Sequence, residues 1–179
     1  MISILADDTR HDAGLQLQRV LQSMGRQTDY VSLADVQVKP CFNCGACNYK
    51  SYSKCVFRDD DDWILGKIAK AGAVIVVTPI LFGGYSVKTK RVLDKLGLIM
   101  DRHYYVVKGE LAKGGMPGRP FRYLALGVQD TANETEAKAF RSLVHETITI
   151  VRGRGKACTY VTGQPNTALE EIAREAALS

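Results

Sequence analysis

No apolar run in the 179-residue chain approaches the roughly 18 residues that a membrane span requires. Met1 opens directly into an apolar strand-like run, without the basic, apolar and cleavage regions of a secretion signal. We therefore expect a cytoplasmic protein with no membrane partner. Repeats, low-complexity tracts, a P-loop, a G-x-G-x-x-G fingerprint and a Ser/His/Asp nucleophilic arrangement are all missing. The net charge of +5 is spread through both halves, so no basic groove for nucleic acid is expected. The short, glycine-rich cluster from Arg152 to Lys156 reads as a solvated turn. Cysteine is scarce, at five residues, and in a reducing compartment these are thiols, metal ligands or redox groups rather than structural disulfides.

What is present is an alternation of strand-like and helix-like segments. Apolar residues make up 46% of the chain, enough for one core, so residues 1–179 are expected to form a single domain with a cysteine-containing insertion at about 36–58. Strands are predicted at Met1–Ala6, Asp29–Leu33, Ala71–Thr78, Tyr123–Gly127 and Ala157–Thr162. Helices are predicted at Gly14–Met24, after the four aspartates Asp59–Asp62, and at Val87–Met100, Glu134–Val151 and Thr167–Leu178. The aspartates suit an N-cap and first turn; a divalent-cation site is the alternative. The β-branched run in Ala71–Thr78 marks a central strand buried on both faces. Strands joined through helices require right-handed crossovers, which predicts a flavodoxin-like α/β three-layer sandwich with a five-stranded parallel sheet in the order 2-1-3-4-5.

Ligands of such sheets bind beyond the carboxyl ends of the strands, in the loops after the first, third and fourth. The loop Thr78-Pro79-Ile80-Leu81-Phe82-Gly83-Gly84-Tyr85-Ser86 combines a rigid exit from the strand, apolar surface for a flat ring and glycines that admit backbone amides. By itself it is equally an ordinary strand-to-helix turn with a buried Phe. Together with Lys90, Val92-Leu93-Asp94-Lys95, Pro40-Cys41, the acidic run and Gly118-Arg119-Pro120, it resembles the NAD(P)H-dependent FMN reductases and their iron–sulfur flavoprotein relatives. That resemblance implies an FMN cofactor bordered by Pro79, Ile80, Leu81, Phe82, Gly83 and Gly127. It also implies a homodimer or homotetramer. The subunit contact is expected at Tyr104–Gly115, with His103, Tyr104 and Tyr105 there rather than on the flavin's open face. The family's usual phosphate loop, a Gly-Ser-Pro-Arg-like run ending in Asn-Thr, is replaced by Ala6-Asp7-Asp8-Thr9-Arg10-His11-Asp12-Ala13-Gly14. Thr9, Arg10 and the first helix are expected to meet the phosphate. His11 reads equally as a phosphate ligand or a surface residue.

Cys41, Cys44, Cys47 and Cys55 form C-x2-C-x2-C-x7-C. Three closely spaced thiolates and a fourth further on can reach the corners of a [4Fe-4S] cube, as in the compact motif of iron–sulfur flavoproteins. Zinc, which more often uses two separated knuckles, is the alternative metal, and free thiols or a reversible disulfide the alternative without one. Cys158 is expected to be a buried apolar residue and His145 a structural histidine within its helix. The expected activity is an NAD(P)H-dependent flavin oxidoreductase taking electrons from NAD(P)H or a protein donor, with no catalytic side chain because the flavin carries the chemistry. The rivals are a non-enzymatic electron carrier or partner-binding protein with weakened flavin binding, and a zinc-clipped scaffold.

Overall fold

Apolar strands forced into the centre of a sheet must hide both faces, and two distinct cores result. Ile2–Ala6 (β1), Thr28–Ser32 (β2), Ala73–Pro79 (β3), Phe121–Gln129 (β6), Gly153–Arg154 (β7) and Ala157–Val161 (β8) form one parallel sheet in a computed structural model that describes residues 1–107, 109–117 and 121–178. Along β3, Val74 and Val76 enter one core while Ala73, Ile75 and Val77 enter the other, following the two-residue period of a strand. Helices Ala13–Ser23 (α1) and Thr167–Ala177 (α6) cover the second face with Leu17, Leu21, Leu169 and Ile172. Helices Asp61–Lys70 (α3), Val87–Leu93 (α4) and Glu134–Ile150 (α5) cover the first with Ile64, Ile68, Val92, Phe140 and Val144.

The long strands lie in the order β2-β1-β3-β6-β8, the expected 2-1-3-4-5 arrangement. Registers align Ala6 with Val77 and Val77 with Leu126, so the loops leaving β1, β3 and β6 emerge side by side. The two-residue β7 adds to this order, pairing with Phe121 and Arg122 at the start of β6 while β8 pairs with its end. Among the described residues, no helix is long and apolar enough to cross a membrane.

Four departures from expectation have local causes. The segment after Asp101 is not irregular but carries an antiparallel pair, Tyr104–Val107 (β4) and Glu110–Lys113 (β5). Its second strand is spelled Glu-Leu-Ala-Lys, which has little β-propensity. The cysteine segment contains a single helical turn, Ala46–Tyr49 (α2). The helix expected over Val87–Met100 ends at Leu93 and continues as a tighter turn at Leu96–Leu98, where Gly97 is a poor helix former. His145 lies on the exposed side of α5, whose buried stripe is Ala137, Phe140 and Val144. Cys158 is buried as expected, and burial pushes its thiol up to about 12. Gly118-Arg119-Pro120 lie outside the described residues.

Gly127 is buried in β6, and a Cβ there would stand 2.7 Å from both Ile80 Cδ1 and Phe140 Cε1. Its missing side chain leaves the space that Ile80 and Phe140 occupy against the strand. Gly127→Ala is expected to cost about 1–3 kcal/mol in urea unfolding through overpacking. A cost within error of zero would show that Ile80 is free to shift.

Candidate functional site

The loops after β1, β3 and β6 enclose a cavity of about 560 Å³. Arg10 and His11 line it from the first loop and Pro79 and Ile80 from the second. Val128 to Asn133 line it from the end of β6, and Glu134 and Glu136 from α5. Four residues expected at a cofactor, Arg10, His11, Pro79 and Ile80, are thus brought together. Gly127 supports Ile80 from within the core, and Thr9, Leu81, Phe82 and Gly83 flank the cavity without lining it.

Leu81 and Gly84 exchange two backbone hydrogen bonds, Leu81 N to Gly84 O at 3.0 Å and Gly84 N to Leu81 O at 2.9 Å, closing a tight turn. Phe82 (φ 51°) and Gly83 (φ 75°) at its tip are both left-handed. Only Gly adopts that conformation readily, so Phe82 carries roughly 1–2 kcal/mol of backbone strain. Its ring is 98% exposed, rather than buried as in an ordinary turn. Gly83 sits against Ala139 and Glu136 of α5, which anchors the turn beside the cavity.

The first loop is held by carboxylates. Asp8 accepts from the Gly14 amide at 3.0 Å, the Leu15 amide at 3.2 Å and the Tyr30 hydroxyl at 2.7 Å. Burial nevertheless raises the Asp8 carboxyl above its usual range, against the pull of those bonds. Thr9 donates to Asp7, His11 contacts Asp130, and Arg10 lies 3.8 Å from Asp130. Asp130, which follows β6, had no signal in the sequence because it joins the first loop only at the carboxyl end of the sheet, past β3.

All four motif cysteines line a second cavity of about 190 Å³ with Phe42, Phe57, Lys95 and Lys113. Cys41 and Cys44 are exposed, whereas Cys47 and Cys55 are partly buried against the first core. Among the described residues, no three His, Cys, Asp or Glu side chains converge on a point that one metal ion could occupy. Lys113 donates to Asn48 Oδ1 at 3.1 Å and Gly97 O at 2.6 Å, tying β5 to this segment.

Lys95, only 3% exposed, is the unforeseen member of this group. It donates to Asp59 Oδ2 at 2.9 Å and lies 3.8 Å from Asp61. The acidic run therefore does more than begin a helix. Asp59 also accepts from the amides of Lys39 (2.8 Å) and Asp61 (3.0 Å), and Asp60 from Gln37 (2.7 Å), which pins the cysteine segment's entry to α3. Burial works to raise Asp59, but Lys95 and those amides outweigh it and hold the carboxyl below its usual range. A lysine three residues after the inward Val92 was the signal in the sequence.

Residues 11–147 match the family described as NADPH-dependent FMN reductase. The chain belongs to that family. The match includes His11, the cysteine segment and the Pro79–Gly83 turn, and begins just after Thr9 and Arg10. Among relatives, an iron-sulfur flavoprotein of Methanocaldococcus jannaschii is 39% identical over 71 residues, 40% of this chain and 36% of that protein. One from Methanosarcina thermophila is 32% identical over 99 residues, 54% of this chain and 51% of that protein. This chain thus spans about half or less of the curated relatives' lengths. An azoreductase from Bacillus anthracis shares the fold, with a TM-score of 0.65 at 11% identity over 99% of both chains.

Asp61 is completely buried, and neither carboxylate oxygen has a hydrogen-bond partner among the described residues. Burial pushes its carboxyl up from 3.8 to about 7, against the opposing Lys95 charge. Between those values the folded chain holds a proton that the unfolded chain releases, so stability falls as pH rises through this window. Asp61→Asn is expected to lose less melting temperature than wild type between about pH 5 and pH 8, at roughly 2–4 °C for each kcal/mol involved. Parallel melting curves for the two proteins across that range would contradict the assignment.

Proposed function

We propose that this chain is a flavin oxidoreductase that accepts electrons from NAD(P)H or a protein donor and passes them through a cysteine-held [4Fe-4S] cluster to an acceptor. The observation that carries the flavin part is Phe82: a strained, exposed aromatic ring held by a closed turn at the switch point of the sheet. An apolar ring so placed gains most by covering another flat ring. Ile80 and Pro79 extend this apolar surface into the cavity and would exclude water from one face of an isoalloxazine.

The cysteine part rests on four thiols lining one cavity without converging on a point. A cube binds each thiolate at a different iron, which suits this spread better than one zinc ion does. Lys113, held only by neutral acceptors, brings positive charge to the same cavity and would offset the negative charge of a thiolate-bound cluster, while Lys95 is paired with Asp59. When bound, the flavin supplies two-electron and one-electron chemistry and the cluster one-electron transfer. The chain's own task is to present the ring edge, keep water from it and set both potentials by burial and charge. The β4–β5 hairpin, with Val106 and Leu111 paired and exposed, is our candidate for contact with a second subunit.

Anaerobic reconstitution with flavin, iron and sulfide, followed by visible spectroscopy and elemental analysis, tests both parts. Flavin absorbance that bleaches on adding NADH or NADPH is expected, with about four iron atoms per chain. Cys44→Ser is expected to lose at least half of that iron. Phe82→Ala is expected to weaken flavin binding roughly tenfold, since covering a phenyl face contributes on the order of 1.5–3 kcal/mol when complete. Reconstituted protein without iron or sulfide would remove the cluster, and unchanged flavin affinity in Phe82→Ala would remove the ring contact.

A further inference from the structure

The phosphate end of FMN does not fit the first loop as the ring fits the second. The side-chain donors of that loop that could receive a phosphate, and two of the amides at the start of α1, are already engaged by the chain's own carboxylates. The amides of Gly14 and Leu15, at the positive end of α1, are taken by Asp8, which Tyr30 holds from the other side. The Thr9 hydroxyl is given to Asp7, and Arg10 and His11 both face Asp130. Asp8 is also wedged tightly: a Cβ on Gly14 would lie 2.7 Å from Asp8 Oδ2 and 2.4 Å from Ala6 Cβ. A helix N-terminus commonly takes a phosphate through its free amides and dipole. Here an internal carboxylate has that place, and Asp7 and Asp12 add further negative charge beside it.

We propose that Asp8 occupies the position of a flavin's terminal phosphate and makes the site select flavins whose ribityl chain ends in a neutral hydroxyl, the riboflavin class, over phosphorylated ones. The inference rests on the flavin reading above. A terminal hydroxyl can donate to these carboxylates in a charge-assisted hydrogen bond, whereas a dianion must displace Asp8 and approach three aspartates. FMN and riboflavin seat the same ring, so the two ligands differ only at this loop.

Fluorescence-quenching titrations of the whole chain with riboflavin and with FMN provide the test. Wild type is expected to bind riboflavin more tightly than FMN. Asp8→Asn, which preserves size and keeps one acceptor oxygen at the start of α1, is expected to improve FMN affinity at least tenfold relative to riboflavin. Tyr30→Phe, which frees Asp8 without altering charge, is expected to shift the ratio the same way by a smaller factor. Binding of FMN by wild type as tightly as riboflavin or more tightly, or a ratio unmoved in both variants, would overturn the inference while leaving the flavin reading intact. Binding of neither flavin by any of the three proteins would overturn the flavin reading and this inference with it.

Discussion

Burial of β1, β3 and β6 on both faces is the constraint from which the rest follows. A strand whose neighbours cover it above and below has no face to offer a polar ligand, and its backbone groups are spent on the adjacent strands. Chemistry is thereby confined to the ends of the sheet. The parallel registers bring the three central strands out together, so Arg10, Pro79 and Asp130, far apart in the chain, border one cavity.

Charge inside the loops follows a second rule, that a buried or half-buried carboxylate needs a donor. Asp8 finds two helix amides and a tyrosine. Asp59 finds Lys95 and two amides. Asp130, although exposed, also gathers Arg10 and His11. Satisfying these groups internally gives the loops defined shapes before any ligand arrives. It also commits donors that a phosphate would otherwise use. Asp61 is the exception: a carboxyl buried in the first turn of α3 beside Lys95 with no hydrogen bond among the described residues, and it responds by holding its proton to higher pH.

The two cavities are built differently, and their suggested roles differ accordingly. At the carboxyl ends of the strands, a strained turn displays one aromatic residue to solvent. Around the cysteines, a short helical turn, Phe42 and Phe57 in a tilted contact with centroids 4.9 Å apart, and two lysines enclose four thiols. Lys95 links that enclosure to the acidic run and hence to α3, which packs on the sheet. Positions of the cysteines thus depend on a buried ion pair rather than on the cysteine segment alone.

Sheet order, the long helices, the central strand and the switch-point loops were legible in the amino-acid sequence because periodic burial leaves a local pattern that any window of residues displays. The C-x2-C-x2-C-x7-C spacing and the Pro79–Gly83 turn were legible for the same reason. The β4–β5 hairpin was not, because its second strand is made of helix-favouring residues and forms only by pairing with the first. Nor could sequence alone show that Phe82 is exposed, that Lys95 is buried between Asp59 and Asp61, or that Asp8 fills the end of α1. Those outcomes depend on which distant group arrives opposite each side chain, and only the packed chain decides that.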